Sequence, residues 1–209
     1  MAADAVVHVI DDDEAVRQSI AFLLQTSGVA ACTYESASAF LDTLPTIEFG
    51  CIITDVRMPG ISGIDLLRRL GEMRIKMPVI VITGHGDVPL AVEAMKVGAV
   101  DFLEKPFDDE LLLGSVRSAL DRSRESACQD AERMELLARL STLTTREREV
   151  LEGLIAGKPN KVIAFDLAIS PRTVEIYRAN VMTKMAAASL SELVRMALVT
   201  GVMKSGTSG

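Results

Sequence analysis

Four polar clusters in this sequence each sit at or just past the end of an apolar run, and together they could handle a phosphoryl group. Asp11 and Asp12 follow Val6–Ile10. Asp55 follows Cys51, Ile52, Ile53 and Thr54. Thr83 ends the run from residue 78, and Lys105 comes just after residues 100–103. Three carboxylates brought close together repel unless a cation joins them. Hard oxygen donors in small number, completed by water, suit Mg²⁺. Lys105 adds a second positive charge and Thr83 a hydroxyl. Phosphoryl transfer is mostly positioning and charge neutralisation, and a carboxylate can be the nucleophile. One aspartate after a strand could equally cap a helix. Asp13 and Glu14 read as helix-start charges. His8 reads as a packed core histidine and His85 as a loop residue.

The elements needed to position these groups follow from periodicity. Short, continuous apolar runs bounded by turn residues suit strands buried on both faces. Five occur: Val6–Ile10, 31–34, 51–55, 78–83 and 100–103. Helical spacing follows each. Asp12 or Asp13 caps the first helix and Gly28 closes it. Residues 36–44 form a second helix, ended by Pro45, and residues 63–73 a third, apolar at Ile64, Leu67 and Leu70. Residues 87–97 form a fourth with Val88, Ala91, Val92 and Met95 as its apolar set, and residues 108–120 a fifth. Strands alternating with helices predict a doubly wound parallel sheet of order 2-1-3-4-5, with ligands at the carboxyl edge of its strands. All the polar clusters fall on that edge.

The 209 residues include 49% hydrophobic but only 4% aromatic side chains, so the cores are aliphatic. No apolar run reaches the roughly 20 residues of a membrane span, and the amino terminus lacks a signal-peptide pattern. Three scattered cysteines without metal spacing suit reduced thiols in a cytoplasmic protein. The net charge of -7 is uneven, at -9 over residues 1–122 and +3 over residues 143–209. That asymmetry predicts two modules with different partners. Residues 123–142 read as a largely helical connector, with Ala127, Ala131, Met134, Ala138 and Ser141 at helical spacing. Residues 205–209 read as a disordered tail.

The basic module, residues 143–204, reads as four short helices. Residues 160–185 are helix, tight turn, helix, and Ser170-Pro171 is an N-cap followed by proline at the first helical position. In such a pair the second helix can enter the DNA major groove. Val174, Tyr177, Val181 and Met185 are spaced to face the core. Arg172, Glu175, Ile176, Ala179 and Thr183 lie opposite, where they could meet base edges. Lys161, Thr173, Arg178 and Lys184 suit phosphates. A helical hairpin with a charged outer face would show the same spacing.

Two resemblances bear on these readings. Residues 5–122 resemble a two-component receiver domain through Asp11-Asp12, Asp55 with Met58-Pro59-Gly60, Thr83-Gly84 and Lys105-Pro106-Phe107. The resemblance implies that Asp55 takes phosphate from a sensor histidine kinase. It implies Mg²⁺ held by Asp12, Asp55 and the main-chain carbonyl of Arg57, with Asp11 acting through water. It also implies a cis Lys105-Pro106 bond and a switch pair of Thr83 and Phe102. Residues 143–200 resemble a LuxR-type helix-turn-helix through Leu143-Thr144-Thr145-Arg146-Glu147, Asn160-Lys161, Ile163-Ala164, Ile169-Ser170 and Arg172-Thr173-Val174-Glu175. Pro159, Val162 and Met185 depart from its usual residues.

The combination is similar to response regulators of the FixJ type. That implies an oxygen-sensing kinase of the FixL type, promoter DNA as target, control of nitrogen-fixation and microaerobic genes, homodimers formed on phosphorylation, and contact with RNA polymerase. Such a protein is a transcription regulator and not an enzyme. A receiver that never takes phosphate, fused to a DNA binder, is one alternative. An aspartyl phosphohydrolase is another, opposed by Arg57 standing where a second carboxylate would be the general acid.

Overall fold

A computed structural model describes residues 5–44, 49–84 and 88–201. Expectations for Pro45, His85, Gly86, Asp87 and the tail lie outside these residues.

The amino-terminal unit alternates strand and helix: β1 (Val6–Ile10), α1 (Glu14–Thr26), β2 (Ala30–Tyr34), α2 (Ala37–Thr43), β3 (Gly50–Asp55), α3 (Gly63–Glu72), β4 (Val79–Thr83), α4 (Val88–Val97) and β5 (Asp101–Glu104). The sheet is parallel throughout, in the order β2-β1-β3-β4-β5. Every residue of β3 and β4 is buried, as continuous apolar runs demand. Successive side chains alternate between two cores. Ile10, Ile52 and Val81 pack with Phe40, Leu66 and Ala94 on one face. Val9, Ile53 and Ile80 pack with Leu24, Leu112 and Val116 on the other. Each such aliphatic side chain contributes about 1.5–3 kcal/mol on burial.

Local chemistry sets the helix starts. Asp13 caps α1 by accepting from Ala15 and Val16 N–H. Ser36 caps α2 and Ser62 caps α3. The apolar set expected for α4 is corrected. Val92 and Met95 are exposed, at 47% and 51%, while Ala94 is buried with Leu90 and Val97 packed beside it. α4 is apolar on most sides, so periodicity alone did not select its inner face.

α5 (Asp109–Ser141) is one 33-residue helix. The chain divides into two compact units between Ala127 and Cys128, within α5. The connector stripe Ala127, Ala131, Met134, Ala138 and Ser141 is exposed, whereas Leu140 enters the carboxyl-terminal core.

The second unit adds α6 (Thr145–Ile155), α7 (Asn160–Asp166), α8 (Pro171–Met185) and α9 (Leu190–Thr200). Thr144 and Glu147 form a reciprocal capping box at the start of α6. Val150, Leu154, Ile163, Val174, Val181 and Leu193 make the shared core.

Candidate functional site

β1 and β3 are neighbours, with Ile10 paired to Thr54 in register. The residues that follow these strands therefore emerge side by side. Asp11 and Asp55 are both buried, at 3% and 7% exposure. Lys105, just past β5, joins them: its Nζ donates to Asp11 Oδ2 at 2.6 Å and to Asp55 Oδ1 at 2.8 Å. Its own N–H donates to the Thr83 carbonyl at 2.7 Å, which ties the ends of β4 and β5 together. Burial alone would lower the pKa of the Lys105 ammonium. Hydrogen bonds and charge from Asp11 and Asp55 outweigh that and raise it.

Each carboxylate is held a second time. Asp55 Oδ2 accepts from the Arg57 N–H at 2.6 Å, and Asp11 Oδ1 accepts from the Asp13 N–H at 2.9 Å. The Lys105-Pro106 peptide is cis. Thr83 is buried at the end of β4, and Phe102 is partly buried against the core beside Val81, its register partner.

Two contributors escaped the sequence reading. Arg17 Nη1 donates to the Asp11 carbonyl at 2.6 Å, fixing the turn after β1 from within α1. Nothing local in the sequence distinguishes it from a solvent-facing helix arginine. Gly63 begins α3 against the phosphoacceptor candidate. A Cβ there would lie 2.2 Å from the Asp55 carbonyl oxygen, and its N–H donates to Val56 O at 3.1 Å. A glycine just after the Ser62 cap was the available signal.

Among the described residues no three acidic, imidazole or thiol groups converge as ready ligands for a metal ion. Lys105 holds Asp11 and Asp55 together instead, while Asp12 is exposed. The donors are hard oxygens of the kind Mg²⁺ takes, from one exposed carboxylate, one buried phosphoacceptor candidate and nearby main chain. In donor chemistry the set fits that ion.

In the second unit the exposed face of α8 carries Arg172, Glu175, Ile176, Ala179 and Thr183, with Val174, Val181 and Met185 buried opposite. Lys161 is exposed on α7, and Arg178 is partly buried. Thr173 shares a 2.8 Å hydrogen bond with the Ser170 hydroxyl. Lys184 is engaged elsewhere: its Nζ donates to Glu147 Oε2 at 2.6 Å and to the Thr142 carbonyl at 3.2 Å.

Known families match both units. The response regulator receiver domain matches residues 7–117, and the luxR family of bacterial regulatory proteins matches residues 141–197. Transcriptional regulatory protein FixJ of Azorhizobium caulinodans is 63% identical over 94% of this chain and 93% of its own length. FixJ of Rhizobium meliloti is 54% identical over 95% and 97%. Among solved structures, the response regulator StyR superposes with a TM-score of 0.83 at 39% identity, covering 94% of this chain and 99% of its own. Full-length FixJ from B. japonicum gives 0.58 at 54% identity, covering 95% and 98%. The chain belongs to the two-component response regulators of the FixJ type, a receiver domain joined to a LuxR-type DNA-binding domain. Its relatives are transcription regulators, and receiver domains generally bind Mg²⁺ where they are phosphorylated. No helix among the described residues is long and apolar enough to cross a membrane.

Proposed function

We propose that the chain is a cytoplasmic transcription regulator activated by phosphorylation at Asp55. The phosphoryl donor is a sensor histidine kinase of the FixL type, and the targets are promoters of nitrogen-fixation and microaerobic genes. The receiver spans residues 1–122, the connector 123–142, the DNA-binding module 143–204 and the tail 205–209. One observation carries the reading: a single ammonium, Lys105, bonds both Asp55 and Asp11 at the carboxyl edge of the sheet. That geometry supports a carboxylate prepared to gain anionic charge, because Lys105 can neutralise phosphoryl oxygens as they arrive.

Asp12, Asp55 and the Arg57 carbonyl would hold Mg²⁺, with Asp11 acting through water. When bound, the ion supplies charge neutralisation for the incoming phosphoryl group. Thr83 and Phe102 act as the switch pair. The Thr83 hydroxyl turns toward the phosphoryl group, the Phe102 ring fills the space released, and the surface of α4 and β5 changes. Receivers then pair, and two DNA-binding modules on one duplex gain avidity. Arg172, Glu175, Ile176 and Ala179 read bases. Lys161, Thr173, Arg178 and, once released from Glu147, Lys184 meet phosphates. RNA polymerase is the final partner.

Intact-mass measurement after incubation with acetyl phosphate tests the first step. A single phosphate adduct that requires Mg²⁺ and is lost in Asp55→Asn is expected. No adduct under any condition would instead favour a DNA binder with an inert receiver.

A further inference from the structure

α8 ends at Met185, whose side chain is buried. The turn that follows is closed by Ala186 in the left-handed region, at φ 54°. The Ala186 N–H donates to the Met182 and Thr183 carbonyls, and the Ala187 N–H also reaches Met182. The Met185 carbonyl lies beyond that cap, at a helix end where carbonyls lack helical partners and carry partial negative charge. Arg139 supplies its donor: Nη1 gives a hydrogen bond of 2.9 Å. Nη2 of the same guanidinium is held by Glu135, one turn earlier on α5, at 2.7 Å. A planar fork anchored by one arm delivers the other in a fixed direction. Lys184 crosses the other way, from the last turn of α8 to the Thr142 carbonyl just past α5. Arg139 precedes residue 141, where the luxR-family match begins, yet Leu140 beside it already lies in the core with Val174 and Val181 of α8.

We propose that Arg139 is a positioning residue for DNA recognition, which sets the tilt of α8 by holding its carboxyl end against the last turns of α5. The proposal rests on the reading of α8 given above. Arg172, Glu175 and Ile176, the base-reading side chains of that reading, lie toward the opposite end of the helix. Arg172 stands about 20 Å along the helix axis from Met185. A pivot of a few degrees at Met185 therefore moves Arg172 by more than about 1 Å, and a recognition site has to be held within about 0.5 Å. Packing of Val174 and Val181 keeps α8 on the core but is non-directional. The tilt then depends on directional bonds at the helix end, and Arg139 makes a charge-assisted one. A direct DNA contact does not suit this side chain. Both of its terminal nitrogens are engaged within the protein, whereas Arg172 is exposed on the outer face of α8.

The experiment uses the full chain with acetyl phosphate and Mg²⁺. Two DNA fragments are compared: one that the wild-type protein selects from a random pool, and one of the same composition with scrambled sequence. Binding is measured well below the melting temperature of each variant. Arg139→Ala is expected to bind the selected fragment about tenfold more weakly and the scrambled fragment within about twofold of wild type, because phosphate contacts tolerate a tilted helix and base contacts do not. Arg139→Lys keeps one cationic donor for the Met185 carbonyl and is expected to recover most of the lost discrimination. Glu135→Gln alters an exposed side chain and loosens the same guanidinium, so it should lose about threefold in discrimination. It keeps the test decisive if Arg139→Ala does not fold. Equal weakening on both fragments overturns the proposal and makes Arg139 a stabiliser of the fold or a phosphate contact. Unchanged discrimination in Arg139→Ala, or in Glu135→Gln where only that variant folds, overturns it as well, and so does an Arg139→Lys variant no better than Arg139→Ala. If the wild-type protein selects no fragment, the reading of α8 fails and takes this proposal with it, a result seen before any variant is compared.

Discussion

Lys184 near the end of α8 and Glu147 in the first turn of α6 form a 2.6 Å ion pair whose carboxylate is almost fully buried. The same carboxylate accepts from the Thr144 N–H at 2.8 Å, and Lys184 also reaches the Thr142 carbonyl. Arg139 donates to the Met185 carbonyl at 2.9 Å and Arg148 to the Leu140 carbonyl at 3.0 Å. The end of α5, the start of α6 and the end of α8 are therefore tied together by charged side chains. The Lys184 bond first, then the Thr144 N–H, pulls the Glu147 carboxyl down to a pKa of about 2 from its ordinary 4.5.

Replacing Glu147 with Gln is expected to lower the melting temperature of the DNA-binding module by several degrees at neutral pH. The folded carboxyl has the lower pKa, so its contribution is complete above 4.5 and disappears as pH falls toward about 2. Wild type and Glu147→Gln should converge over that window in calorimetric scans. A constant difference at every pH would mean that the ion pair is not its source.

Lys105→Met tests the other bridge. Without the ammonium, buried Asp11 and Asp55 face each other without a cation, a loss of about 1–3 kcal/mol. The expected result in chelator is a lower melting temperature, with a larger recovery on adding Mg²⁺ than wild type shows. The folded ammonium has a raised pKa, so its contribution persists below its ordinary 10.5 and is lost only as pH rises beyond that. Equal melting temperatures in chelator would remove Lys105 from the resting structure of the site.

Gly63→Ala places a Cβ 2.2 Å from the Asp55 carbonyl oxygen, and a backbone atom cannot yield as a side chain can. α3 must shift away from Asp55. A destabilisation of about 1–3 kcal/mol is expected from overpacking, together with slower adduct formation from acetyl phosphate. Unaltered adduct kinetics in folded variant protein would show that α3 does not set the Asp55 geometry.

The sheet and its acidic edge were legible because both depend on local pattern. An apolar run buried on two faces needs no partner to be recognised, and parallel strands carry every terminal residue to the same edge. Three of the four helices of the second unit start at a side-chain cap, Thr144, Ser170 or Ser189, and the Ser170-Pro171 pair was the one legible as such, whereas α7 follows Pro159 without a side-chain cap. What stayed hidden depends on distant contacts. Lys184 has the charge of a phosphate ligand, and only the fold brings Glu147, 37 positions away, to its ammonium. Arg17 becomes a clamp only when α1 folds back over Asp11. On α4 and along the connector, too many positions are apolar or small for spacing to choose a face.

His8 supplies the last prediction. It lies inside β1, buried between Tyr34 and Phe40, with ring centroids 5.8 and 5.5 Å away. Its Nδ1 shares a 3.1 Å hydrogen bond with the Tyr34 hydroxyl, while Nε2 is buried with no partner. Burial lowers the imidazole pKa from 6.5 to about 4. Between those values the unfolded chain binds a proton that the folded chain refuses, so stability falls as pH drops from 6.5 toward 4. The loss is on the order of 1–3 kcal/mol. His8→Gln keeps a polar group near Tyr34 but cannot titrate, so its receiver unit should lose less stability over that interval. Denaturant midpoints at pH 7, 5.5 and 4.5 (approximate settings chosen around the imidazole window) would measure the difference. Parallel losses in both proteins would place the acid sensitivity in the carboxylates.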